Sequence, residues 1–303
     1  MMTAQRSGSI FGLLQWQIRN VIFYVAAGTA AVGLYELGKA YGVEITVPVL
    51  PLSIVGGALG IFVSFRSNAA YDRWWEGRKL WGRLINTSRH WASQVAQYVR
   101  DPQKREEMIK RHIAYVHTLR CALRVQDPLK DPDCQAWLTD VEKEELPDQS
   151  NPTHYLLNRQ LHDATALADA EQLDPFRLQS MDESVRHLLD IQGGCERIKK
   201  TPIPRGFAYI AEILIQYFSF LFPLAIVAHL SLWVVPINVL VCLALMLINE
   251  AGRVLEDPFT MFWNGLPLSN MSWTIEHNLR NRLGEPERSL NPIPGPDENG
   301  ILM

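Results

Sequence analysis

Long stretches of this 303-residue chain carry no charge at all. No Asp, Glu, Lys or Arg occurs between residues 20 and 35, 45 and 65, or 213 and 249, although 20% of the chain is charged and 48% hydrophobic, an average that reads as soluble. Cysteine is scarce: Cys121, Cys134, Cys195 and Cys242 make no CxxC pair, which excludes a disulfide framework or zinc ribbon and leaves free, reduced thiols as the expectation. Basic charge is not in excess, since the net charge is −3, and the electrostatic footprint of a nucleic-acid binder is missing. No cleavable signal peptide is visible, because no convincing small-residue cleavage site follows the first apolar run. Catalytic signatures are absent too. There is no HExxH, no readable Ser–His–Asp arrangement, and Gly193-Gly194 has no strand before it and is not a phosphate loop. His112 and His117 stand five apart, a spacing that splays them on a helix, and His229 reads as a helix-end hydrogen-bonding group. The expectation is of no enzyme, no metal and no cofactor.

What is present is a set of membrane-length apolar runs. Asn20–Tyr35 reaches only about 24 Å against a hydrocarbon core of about 30 Å, so extension to Leu37 or Ala40 is expected, with Arg19 and Lys39 snorkelling. The second run, roughly Val49–Phe65, opens on Pro48 and Pro51, where a missing N–H costs nothing. Gly56 and Gly60, four apart, give it a face flat enough for close helix contact. The third run, Ile213–Asn249, is too long for one span; Ala228–Pro236 reads as a hairpin between two, with Pro223 kinking the outgoing helix. Four spans put both termini on one side. Residues 36–48 and 228–235 hold a single basic residue, Lys39, whereas Arg19, Arg66, Arg205 and Arg253 flank the other ends, so both termini and the central region are expected to be cytoplasmic.

The second run turns without a break into FRSNAAYDRWWEGRKLWG, and from Arg66 to Arg83 the basic residues Arg66, Arg73, Arg78, Lys79 and Arg83 stand against only Asp72 and Glu76. Trp74, Trp81, Leu84, Ile85, Trp91 and Val95 keep a helical spacing, so the helix is expected to run on to about Tyr98. Asp101-Pro102, Asp127-Pro128, Asn151-Pro152 and Asp174-Pro175 punctuate the central region into helices over Lys104–Val125, to Ala170 and to Ile191, with a loop region at 127–152. The organisation expected is 1–98 for the N-terminal segment, first two membrane helices and cytoplasmic extension, 99–205 for a cytoplasmic helical region, 206–255 for the third and fourth membrane helices, and 256–303 for a C-terminal segment with a flexible tail. Leu50, Ile54, Ala58, Ile61 and Phe65 share one face. Such a stripe could form a water-repelling throat if copies of the helix ring an axis. Periodicity alone favours a lipid-facing or core-facing stripe, which every membrane helix carries.

FRSNAAYDRWWEGRKLWG resembles the signature of the bestrophin family of ion channels, in its bacterial branch, through Arg66, Asn68, Tyr71, Arg73, Glu76, Arg78, Trp81 and Gly82. LPLSIVGGALG before it and EDPFTMFWNGLPL (Glu256–Leu268) after the last span resemble the family as well. The resemblance implies an all-α, multi-pass membrane protein with four transmembrane helices and a helical cytoplasmic region, assembled as a homopentamer around a central pore. It implies a passive channel for small monovalent ions in the bacterial inner membrane. Leu50, Ile54 and Ala58 fall at the neck, Phe176 of LDPFRLQ falls at a cytoplasmic aperture, and the signature residues are structural. Two departures from animal members narrow what carries over. The neck is aliphatic rather than phenylalanine-rich, so the family's chloride and anion selectivity stands beside a cation alternative. The place of the animal calcium cluster reads TMFWNG, without a carboxylate, so calcium gating is not carried over. A membrane-anchored scaffold or signalling protein, binding a partner through its cytoplasmic helices, is the competing expectation.

Overall fold

The computed structural model describes residues 16–261 and 264–295. The first fifteen residues, Phe262 and Trp263 of the second motif, and the end of the expected flexible tail lie outside the described residues. The helices are α1 (Ile18–Ala40), α2 (Val49–Tyr98), α3 (Pro102–Arg124), the short α4 (Pro132–Gln135) and α5 (Asp140–Glu145), α6 (Pro152–Asp169), α7 (Pro175–Lys200), α8 (Arg205–Leu230), α9 (Val234–Leu255) and α10 (Leu268–Arg282). No strand occurs among the described residues, and the all-α expectation holds there.

One local device starts four of these helices. Asp101, Asp131, Asn151 and Asp174 each precede a proline and each cap the next turn, accepting from the backbone N–H groups of Gln103 (2.9 Å), Cys134 (3.1 Å), His154 (3.0 Å) and Phe176 (2.9 Å). The carboxylate or amide satisfies an orphan donor, and proline occupies the first position, whose N–H has no partner in any case. The proline-rich stretch 127–152, expected as loop, contains α4 and α5; Thr139 and Glu142 close a capping box over α5. α7 runs past its expected end at Ile191 to Lys200. The reason is Gly194, where a Cβ would stand 2.8 Å from Leu80 Cδ2, so the glycine serves helix packing and not a stop. α3 ends on Val125, an exposed β-branched residue held at φ 58°. Left-handed backbone costs such a residue roughly 1–2 kcal/mol, so Val125→Gly is expected to raise thermal stability by about 1 kcal/mol. An unchanged or lowered melting temperature would contradict this.

The chain divides into two compact units. Of the described residues, one takes 16–74 together with Pro202–Glu256, and so holds α1, the first half of α2, α8 and α9. In it, α1 packs on α8 and α9, and α8 packs on α9. Tyr24, Leu52, Leu59, Val63, Ile215, Phe218, Cys242 and Met246 form its core. Ile18–Ala40, Val49–Tyr98 and Tyr209–Leu255 are long and apolar enough to cross a membrane. The last, at 47 residues, is broken by a three-residue turn, Ser231–Trp233, much tighter than the hairpin expected over Ala228–Pro236. The buried amide of Asn238 donates to the Tyr24 carbonyl (2.9 Å) and so is satisfied between helices.

The other unit takes Trp75–Thr201 and the chain from Asp257 onward. α3 runs through its centre, against α4, α6, α7 and α10. Trp81, Leu84, Trp91 and Val95 of α2 are buried, as their spacing predicts. The interior of this unit is also charged. Arg111, 2% exposed, is ion-paired with Glu142, Asp163 and Glu107, and Lys104 reaches Asp163 at 3.0 Å.

Candidate pore-lining face and signature segment

α2 is apolar on every side through its first five turns, yet its own subunit covers only part of it. Leu52, Leu59 and Val63 enter the core. Leu50, Ile54, Ala58, Ile61 and Phe65 all stay exposed: Leu50 at 73%, Ile54 at 66% and Phe65 at 70%. The stripe is therefore not the lining of the bundle core, one of the alternatives its spacing left open. A continuous apolar row of this length needs lipid or another chain to cover it. Gly56 meets Phe218, whose ring would lie 2.8 Å from a Cβ there, whereas Gly57 and Gly60 have nothing within 4 Å. The flat contact face read from Gly56 and Gly60 is thus used at Gly56 alone. Phe176, the second residue of α7, is 81% exposed and has its N–H held by Asp174.

The signature residues mostly point the other way. Arg66 is buried and donates to Asn249, with Glu256 Oε2 3.7 Å from its guanidinium. Arg73 donates from Nε to the Glu256 carbonyl at 3.1 Å. Ser67 donates to the Ile248 carbonyl (2.9 Å), and a Cβ at Gly252 would sit 3.1 Å from Ser67 Cα, so α2 and α9 touch backbone to backbone there. Tyr71 stacks on Trp74, with centroids 6.2 Å apart, and Asn68 is exposed. Glu76 pairs with Arg197 at 2.5 Å. Trp81 is fully buried, and the half-buried Arg78 lies over Gly82. The second motif is the counterpart of the first. Glu256 holds Arg66 and Arg73, while Pro258 and Phe259 pack on Gly77, and Asp257 takes Lys199 at 2.6 Å. Asn249 and Arg197 carry no motif of their own in the sequence, and Gly77 lies inside the first motif without being one of the residues singled out in it.

The start of α1, the end of the apolar run of α2, the start of α8 and the end of α9 meet at one recess of about 630 Å³, lined by Arg19, Arg66, Glu212 and Arg253 among others. The charged ends of all four apolar helices thus lie together. The two histidines of α3 go to separate partners: His112 to Ser88 Oγ (2.9 Å) and His117 to Glu276 (3.0 Å). Among the described residues no group of His, Cys, Asp and Glu could hold a metal ion.

Residues 2–281 match the family model described as bacterial/fungal bestrophin protein. A voltage-dependent anion channel-forming protein of Mesorhizobium japonicum is 31% identical over 286 residues, covering 94% of this chain and 90% of that one. Its counterpart YneE of Escherichia coli is 30% identical over 247 residues, 80% of each chain. The crystal structure of a bacterial bestrophin homolog from Klebsiella pneumoniae superposes with a TM-score of 0.83 at 28% identity, over 89% of this chain and 99% of that one. With the motifs, the helical architecture and these likenesses in agreement, the chain belongs to the bestrophin family, in its bacterial and fungal branch.

Proposed function

We propose that this protein is a passive ion channel of the bacterial inner membrane, formed by five copies around an axis lined by α2. The observation that carries the proposal is the uncovered apolar row Leu50, Ile54, Ala58, Ile61 and Phe65. Rings of Leu50, Ile54 and Ala58, each about 6 Å from the next along the helix, form the neck. Phe176 forms a second constriction on the cytoplasmic side. Small monovalent ions pass down their gradient, and the width and dryness of these apolar rings set the conductance. α1, α2, α8 and α9 cross the bilayer in alternation with both termini cytoplasmic, a topology supported by their charged ends meeting at one recess. The names of the relatives favour anions as the permeant class. Arg66, Tyr71, Arg73 and Glu76 hold the pore helix to its surroundings, and Arg66 and Arg73 do not face the path.

Replacing an aliphatic neck ring by a hydroxylated one lowers the cost of wetting it. Ile54→Thr is therefore expected to raise single-channel conductance in planar bilayers by about two-fold or more. Unchanged conductance and selectivity in both Ile54 and Ala58 variants would remove the neck assignment. A detergent-extracted particle of one subunit, with no flux from ion-loaded liposomes, would favour a membrane-anchored scaffold instead.

A further inference from the structure

We infer that Asp72 is a selectivity-determining residue, placing a ring of carboxylates at the inner mouth of the neck. The inference rests on the proposed pore and concerns the first charge an ion meets on leaving the apolar rings. The exposed row of α2 does not stop at Phe65; it continues at helical spacing through Asn68 to Asp72, both exposed. Asp72 lies eighteen residues beyond Ile54, which is five turns at 3.6 residues per turn, so the two share a bearing about 27 Å apart. Whatever axis Ile54 faces, Asp72 faces as well, about 10 Å past the last apolar side chain, Phe65.

The sequence around Asp72 is basic, but the exposed row carries no cation before Lys79, and Arg83 follows only a turn further on. Arg66 is buried on Asn249 and Glu256, Arg73 is half-buried and bonded to the Glu256 carbonyl, and Arg78 is half-buried. The other acid of the segment, Glu76, is tied to Arg197. Asp72 has no hydrogen bond or ion pair among the described residues. The next charge on its row is Lys79, exposed and seven residues further, about 10 Å along the helix and beyond a Debye length of roughly 8 Å at physiological salt. A segment that is cationic by composition thus presents an anionic first ring. Five such carboxylates around a narrow path between low-dielectric walls concentrate cations and repel anions. Asp72 accordingly works against anion preference and sets the balance between the two classes.

The test uses the assembled full chain in planar bilayers, with reversal potentials read in potassium chloride gradients. Asp72→Asn is expected to raise the chloride-to-potassium permeability ratio by about three-fold or more at 0.1 M salt, Asp72→Lys further, and both effects should shrink at 1 M as screening grows. Where the Asn variant does not assemble, Asp72→Cys is treated after assembly with cationic or anionic thiol reagents. The cationic reagent should raise the ratio and the anionic one restore it. A ratio unmoved by these changes, in channels whose conductance still responds to Ile54→Thr, overturns the role of Asp72 and leaves the pore intact. Channels indifferent to both positions overturn the pore reading itself.

Discussion

Arg111→Met is expected to destabilise the unit built around α3 by about 3–5 kcal/mol. The guanidinium is 2% exposed and serves Glu142, which is fully buried, Asp163, which is nearly so, and Glu107. Burial alone pulls the pKa of Arg111 down, and its bonds to Glu142 and Asp163 more than reverse this, leaving the charge firmly held. Removing it strands two carboxylates away from water, with Lys104 reaching only Asp163. Breaking one side of a buried ion pair costs more than the pair contributes, because the surviving charge keeps its desolvation penalty. Replacing all three partners together with apolar residues of similar volume should therefore recover most of the loss. Urea unfolding of the purified protein reads both results. An Arg111→Met variant within about 1 kcal/mol of the parent would show that water reaches the cluster.

Acidification gives the second large effect, and His112 sets its sign. The imidazole is fully buried against Ser88, Trp91 and Tyr115, and burial pushes its pKa down to about 3. In the unfolded chain the same group titrates near 6.5. Between these values the unfolded state binds a proton that the folded state refuses, so stability is full above about pH 6.5 and is lost as pH falls, by at most about 1.4 kcal/mol per pH unit. Glu276 acts in the same direction. Burial would raise its pKa, but bonds to His117 and Arg280 hold its carboxyl below the ordinary range, so its contribution too disappears in acid. From pH 6.5 to 4.5, His112 alone accounts for a loss of up to about 3 kcal/mol. His112→Asn, which keeps a polar partner for Ser88 without a titrating ring, should flatten the dependence over that range. An equally steep slope in the variant would assign the acid sensitivity elsewhere.

Much of the architecture is readable from residue chemistry, for reasons that are local. Asp101, Asn151 and Asp174 announce their helices because capping and proline placement involve only neighbouring residues. The unbroken course of α2 from Val49 to Tyr98 follows from an apolar run passing into a Trp-rich periodic one with no breaker between. What sequence hides is non-local. Nothing at Gly194 says that Leu80 needs its space, so the helix looks finished at Ile191. Arg111 looks like a surface residue among Lys104, Arg105 and Glu106 until α5 and α6 bring Glu142 and Asp163 to it. The candidate pore face divides the same way. The spacing of Leu50, Ile54 and Ala58 is visible in one dimension, but only the folded subunit reveals that no part of the same chain covers them.

The turn Ser231–Trp233 has a consequence for biogenesis. In the proposed four-span topology, with three residues between α8 and α9, the first helix has hardly any tether on which to settle in lipid before the second emerges. Closing so short a connection costs little chain entropy, and the exposed side chains of Leu232 and Trp233 suit the headgroup layer at its tip. The pair should therefore leave the insertion machinery as one hairpin, already bearing the interior contacts that α1 later joins.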